Sequence, residues 1–122
     1  MQATRTARLA HQLQQEIAMI IHRELKDPRL GFVTITRVEL SNDLAHAKVW
    51  FSCLGDPQER VRCQDALEHS ARFIYGLLKK RLRLRITPAI LFWYDESIAG
   101  AIAFTQTLEQ LREEDGRGAA GP

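Results

Sequence analysis

The amino-acid sequence predicts an α+β fold with the element order α-β-β-α-α-β-α. Three observations carry this expectation. Apolar residues recur at helical spacing through residues 5–25 and again through 57–83. Between them, two strand-like runs meet at Ser41-Asn42-Asp43, residues that bond their own backbone in turns. After the second helical stretch, Pro88 precedes the apolar run Ala89-Ile90-Leu91-Phe92-Trp93-Tyr94. The 122 residues suffice for one core. One domain over residues 1–113 is expected, with a disordered tail from 114 to 122.

Each element has a local reason. Leu9, Leu13, Ile17, Met19, Ile20, Ile21 and Leu25 set the first helix. Lys26-Asp27-Pro28-Arg29-Leu30-Gly31 ends it, because Pro28 cannot continue a helix, Asp27 is biased out of one, and Gly31 permits a turn. Lys26 and Arg29 either contact a partner or decorate that turn. Residues 32–40 are rich in β-branched side chains. Val33 and Ile35 share one phase and Val38 and Leu40 the other, so a β-bulge is expected near Thr36 or Arg37. Ala45, Ala47, Val49, Phe51 and Cys53 then alternate with His46, Lys48, Trp50 and Ser52. The two strands form an antiparallel hairpin.

Asp56 is a suitable N-cap and Pro57 suits the first helical position of the next helix. Val61, Leu67, Ala71, Ile74, Leu77, Leu78 and Leu82 carry its period to about residue 83. This is long for so small a domain, and a break is expected near His69-Ser70-Ala71. The run at 89–94 is apolar on both phases, which fits a strand covered on both faces. Coming after helices, it pairs parallel to a hairpin strand. Ser97 caps a last helix with Ile98, Ile102, Leu108 and Leu111 inward. Helices cover one sheet face and leave the other partly open.

Composition excludes several classes. Apolar residues make up 45% and charged residues 26%, the balance of an ordinary globular domain rather than a disordered or collagen-like chain. No apolar run approaches the length of a membrane helix, and the first residues lack the apolar core of a secretory signal. A cytoplasmic location is expected. Cys53 and Cys63 form no CxxC and no zinc set, and read as reduced structural thiols. The four histidines show no metal-binding spacing. No metal or cofactor is expected.

Charge is +2 overall but unevenly placed. Between His69 and Tyr94 lie six Lys/Arg and none of the 15 Asp/Glu, so the rest of the chain is net acidic. At 100° per residue, Arg72, Lys79, Lys80 and Arg83 fall on one face within about 100° of each other, opposite Ile74, Leu78 and Ala71. Gly76 lies within this stripe, where it lets another backbone approach. Arg81 falls on the apolar side. A cationic face is often only a solvated one. Its isolation in an otherwise acidic chain favours phosphate contact. Arg5 and Arg8 open the first helix, where the macrodipole disfavours cations, so they point beyond helix stability.

Enzyme signals are thin. Asp95-Glu96-Ser97 reads as a strand end and helix cap, and no nucleophile elbow, P-loop or dinucleotide fingerprint is present. Gly31-Phe32-Val33 is too short to mark an RRM, and Gly118-Ala119-Ala120-Gly121 lies in the tail rather than between helices. Two rival readings stand. Trp50, on the outward phase of its strand, could dock a protein partner. A small α+β enzyme would rest on Asp95 or Glu96.

Four stretches carry a resemblance: Glu24 to Thr34, Val38 to Val49, Leu82 to Pro88 and Leu91 to Ile98. In this order, across about residues 5 to 112, the chain resembles the ribosome-binding factor A family of bacterial small-subunit assembly factors. The resemblance implies a type II KH-like fold in α-β-β-α-α-β order, with an interrupted long helix and a C-terminal helix. It implies a non-catalytic factor that binds the immature 30S subunit and 16S rRNA and assists late maturation and 16S rRNA processing, including at low temperature. In that family an Ala-x-Gly kink interrupts the long helix. The matching positions here are Ser70, Ala71 and Arg72, with arginine in place of glycine. The kink is then shallower, or built by Ser70 bonding back to a helix carbonyl, and Arg72 adds a phosphate contact. The expected RNA-binding residues are Arg5, Arg8, Arg72, Lys79, Lys80, Arg83 and Arg85. Nothing in the sequence demands a dimer, so a monomer is expected.

Overall fold

The first helical period becomes α1 (Gln2–Arg23) in the computed structural model. The structure describes the backbone of residues 2–30 and 32–120, and their side chains apart from residues 2–4, 98–99, 111 and 114–120. The stripe of α1 buries Leu13, Ile17 and Ile20 completely. Beyond it, Asp27 accepts the Arg29 N–H at 2.9 Å and its carbonyl accepts the Leu30 N–H at 3.0 Å. Gly31, expected to permit this turn, lies outside the described residues.

β1 (Val33–Leu40) and β2 (His46–Cys53) pair antiparallel, with the register shifting between Ile35 and Arg37. The expected bulge is there, and it lets Val33, Ile35 and Val38 all reach the core despite their opposite phases. Ser41 and Asp43 build the turn: Asp43 accepts from the Ser41 hydroxyl at 2.7 Å and from the Ala45 N–H at 3.1 Å. β3 (Ala89–Tyr94) adds parallel to β2, giving the sheet order β1-β2-β3.

α2 (Pro57–Leu82) starts as expected, with the Asp56 carboxylate accepting the Glu59 N–H at 2.8 Å and Pro57 in the first turn. The expected interruption is corrected. Ser70, Ala71 and Arg72 lie inside one continuous helix, so the order is α-β-β-α-β-α. With the glycine absent, Ala71 and Arg72 are strong helix formers. Buried Cys63, Ala66 and Leu67 before this point and Ile74 and Leu78 after it anchor both halves to one core. Ser70 makes no back-bond to a helix carbonyl among the described residues.

α3 (Ile98–Ala120) begins at Ser97, whose hydroxyl accepts the Gly100 N–H at 3.0 Å. Its backbone is helical to Ala120, beyond the expected domain end at residue 113. Gly121 and Pro122 lie outside the described residues. Ile102 is 54% exposed rather than inward, while the placement of Ile98 and Leu111 side chains lies outside the description. α3 meets the sheet through small groups: Thr107 and Thr34 hydroxyls lie 2.7 Å apart.

Thr34 is on the opposite phase from Ile35 and Phe51, which places α3 on the far face of the sheet. α1 and α2 cover the other face, around fully buried Ala47, Val49 and Phe51. α3 reaches across β1 and β2. β3 is therefore not covered on both faces, as its apolar run suggested: Leu91 and Trp93 are each 48% exposed. Cys53 and Cys63 are free thiols, and burial, with the adjoining Cys53 thiol adding to it, pushes Cys63 up to about 12. Among the described residues no helix is long and apolar enough to cross a membrane.

Candidate functional site

The seven expected contact residues, Arg5, Arg8, Arg72, Lys79, Lys80, Arg83 and Arg85, are all exposed. The α2 group forms a row because its opposite face is committed to the core through Ile74 and Leu78. Beyond the helix, Leu82 and Leu84 pack against the core, so Arg83 and Arg85 alternate outward. Among the described residues none of Arg72, Lys79, Lys80, Arg83 and Arg85 has a carboxylate within ion-pair distance.

Their neighbours are neutralised. Arg81 reaches Glu24 at 2.9 Å and Glu16 at 3.8 Å, clasping α2 to α1. Its place on the apolar side was legible in the sequence; its partners were not. Arg29 is held by Asp27 at 2.7 Å. Arg60 is paired with Glu96 at 3.0 Å. Arg29, Arg60 and Arg81 thus have carboxylate partners, whereas the cations of the α2 row have none among the described residues.

Two backbone features shape the row. Arg83 caps α2 in the left-handed conformation, φ 49° and ψ 42°. A non-glycine residue there costs about 1 kcal/mol. Lys79, Lys80 and the cap Arg83 complement the negative end of the helix dipole, but Arg72, in the middle of the helix, has no such local reason. At Gly76 nothing lies within 4 Å of where a Cβ would stand, so the row has an open shelf. Arg5 and Arg8 are not part of it. They lie about 16 and 12 Å along α1 from Glu16, the residue Arg81 touches.

A second cluster occupies the open half of the sheet. The bulge sets Arg37 opposite Trp50, and β3 sets Trp93 beside Trp50. The indole centroids are 6.0 Å apart. The Arg37 guanidinium lies 4.3 Å from the Trp50 centroid, and the Lys48 ammonium 4.6 Å from that of Trp93. Trp50 stands on the outward phase as expected. Its pairing with Trp93 was missed because the run at 89–94 was read as buried on both sides.

Asp95 joins this face to α3. It is buried, accepts from the Thr36 hydroxyl, and accepts the Ser97 N–H at 2.9 Å. A Cβ at Gly100 would stand 2.6 Å from its Cγ, so glycine lets the helix close over the carboxylate. Burial pushes this carboxyl up, but hydrogen bonds from Ser97 and Thr36 and the charge of Arg37 outweigh it and hold it below 3.8. Asp95 therefore contributes stability that is present above about pH 4 and lost as pH falls through its lower folded value. Asp95→Asn is expected to cost about 1–3 kcal/mol at pH 7, and to narrow that gap below pH 4. Urea unfolding at pH 7 and pH 3 checks this; an equal deficit at both pH values would show the carboxylate charge to be unimportant. The pair Asp95-Glu96 is thereby divided into a cap and the partner of Arg60, a structural arrangement.

The family model described as Ribosome-binding factor A matches residues 5–108. A Ribosome-binding factor A from Desulfitobacterium hafniense is 47% identical over 111 residues, covering 91% of this chain and 89% of that one. The crystal structure of ribosome-binding factor A from Thermus thermophilus superposes with a TM-score of 0.66 at 29% identity, covering 73% of this chain and 93% of that one. A Thermus thermophilus homology model fitted into a cryo-EM map of a 30S complex superposes with a TM-score of 0.61 at 30% identity, covering 72% and 92%. The fold is the KH-like α+β arrangement of these relatives, and the chain belongs to the ribosome-binding factor A family.

Proposed function

We propose that this chain is a non-catalytic assembly factor that binds the immature 30S ribosomal subunit through 16S rRNA. It assists late maturation and 16S rRNA processing, including at low temperature, by holding a folding intermediate until release. Residues 1–113 form the RNA-binding domain, which works as a monomer in the cytoplasm. The observation that carries this reading is the unpaired cationic row Arg72, Lys79, Lys80 and Arg83, with Arg85 just beyond. Cations without internal partners are free for phosphates, and a phosphate row positions a protein without reading sequence. Arg72, in place of the family glycine, adds a contact, and Arg5 and Arg8 supply a separate one. A relative fitted into a 30S map supports the choice of partner.

Co-sedimentation with small ribosomal subunits across a salt series tests the reading. The four contacts of the row alone predict that affinity falls at least about a hundredfold between 50 and 200 mM salt. Absence of binding at low salt, to immature and mature subunits alike, would overturn it.

A further inference from the structure

The α2 row faces away from the sheet, so it leaves the Trp50–Trp93 cluster on the opposite side of the molecule unexplained. We propose that this open half-face is a second RNA contact, one that stacks unpaired nucleobases. Its chemistry differs from that of α2. Two indoles lie 6.0 Å apart, and Trp93 and Leu91 are each 48% exposed. Leu91 and Trp93 stand two residues apart on one face of β3.

The flanking charges choose the occupant. Lys48 stands opposite Glu39 across the hairpin, where an ion pair could form. Glu39 instead holds Arg37 at 2.9 Å, and Lys48 sits between the two indoles, 5.3 Å from one centroid and 4.6 Å from the other, with no carboxylate partner among the described residues. Arg37 is stacked as well, 4.3 Å from Trp50, but it is held by Glu39 and lies 3.9 Å from Asp95, so Lys48 is the cation left to meet a phosphate. An aromatic platform with cations beside it fits a planar base carrying an anionic phosphate. Indoles stack on any base, and Lys48 can meet the phosphate beside them. The buried Trp50 N–H has no acceptor among the described residues. An acidic protein segment would satisfy Lys48 but leave the exposed half of Trp93 unused. Single-stranded RNA uses both.

Trp50 and Trp93 are the chain's only tryptophans, so intrinsic fluorescence reports this face alone. The probe is a single-stranded oligoadenylate of about eight nucleotides, within the usual span of such sites. Saturable quenching is expected from it, and none from an RNA duplex of equal length. Lys48→Glu keeps both indoles and is expected to weaken binding about tenfold. Trp93→Ala is expected to weaken it at least as much, read by anisotropy of a labelled oligonucleotide. The Lys79→Glu, Lys80→Glu, Arg83→Glu variant is expected to retain the quenching, which separates this surface from the α2 row. Far-ultraviolet circular dichroism matching the wild type excludes unfolding. No quenching by the oligoadenylate at low salt would overturn the proposal. So would quenching by polyglutamate alone, which would give the face to an acidic protein, or loss of the effect only with the α2 variant.

Discussion

Reversing Lys79, Lys80 and Arg83 to glutamate is expected to reduce affinity for small ribosomal subunits at least a hundredfold, and to make the logarithmic salt slope shallower by about three. The three side chains are exposed and have no internal partners. Their loss therefore removes no contact within the fold, although carboxylates near the helix end oppose its dipole and cost up to about 1 kcal/mol each. Co-sedimentation of the variant beside the wild type reads the effect, and an unchanged affinity and slope would show that the contact lies elsewhere. Arg83→Gly makes the control. Glycine relieves the left-handed residue at φ 49°, so this variant is expected to be no less stable than the wild type while binding less tightly. A variant that loses binding while holding or raising its melting temperature cannot be explained as a folding defect.

Phe51→Ala is expected to cost about 3–5 kcal/mol, a large part of the stability of a domain this size. Phe51 is fully buried on the central strand and meets Phe92 and Tyr94 edge-on, at centroid distances of 6.5 and 5.5 Å. Its removal leaves a cavity between the sheet and the helices that the rigid β2 backbone cannot close. The melting temperature is expected to fall by about 10–25 °C. Leu91→Ala provides the contrast. Leu91 is on β3 next to Phe92 but points outward, 48% exposed, and its truncation is expected to shift stability by no more than about 0.5 kcal/mol. Thermal unfolding of the two variants tests the strand phases directly, and similar losses from both would contradict them.

The parts of this fold legible in the sequence are those set by neighbours along the chain. The bulge between Ile35 and Arg37 followed from a phase switch, the Ser41–Asp43 turn from side chains that bond nearby backbone, and the Asp56 and Ser97 caps from their residue types. The parts that were missed depend on distant groups. Whether Arg81 is free or paired depends on Glu16 and Glu24, which are far away in sequence. Whether β3 is covered depends on the course of α3, whose alanines, threonines and exposed Ile102 give a weak helical stripe. The continuity of α2 was misjudged because its length suggested a break, whereas burial on both sides of Ser70 keeps it whole. For the candidate site, the helix face was visible as a periodicity of cations, but the Trp50–Trp93 pair required the parallel register of β3.

That parallel register also orders events during synthesis. α1 and the hairpin are complete at Cys53, but β2 waits for a partner that ends at Tyr94. At typical elongation rates the interval is about 2–8 s. Through it, one edge of β2 offers unpaired amides to any other strand, while Ala47, Val49 and Phe51 are only partly roofed. Lys48 and His46 on this strand put polar side chains beside that edge, a common guard against intermolecular pairing. Closing the sheet then depends on bringing together segments separated by the whole of α2, the kind of non-local step that slows folding. The nascent chain, rather than the finished protein, is where this topology is most exposed to aggregation.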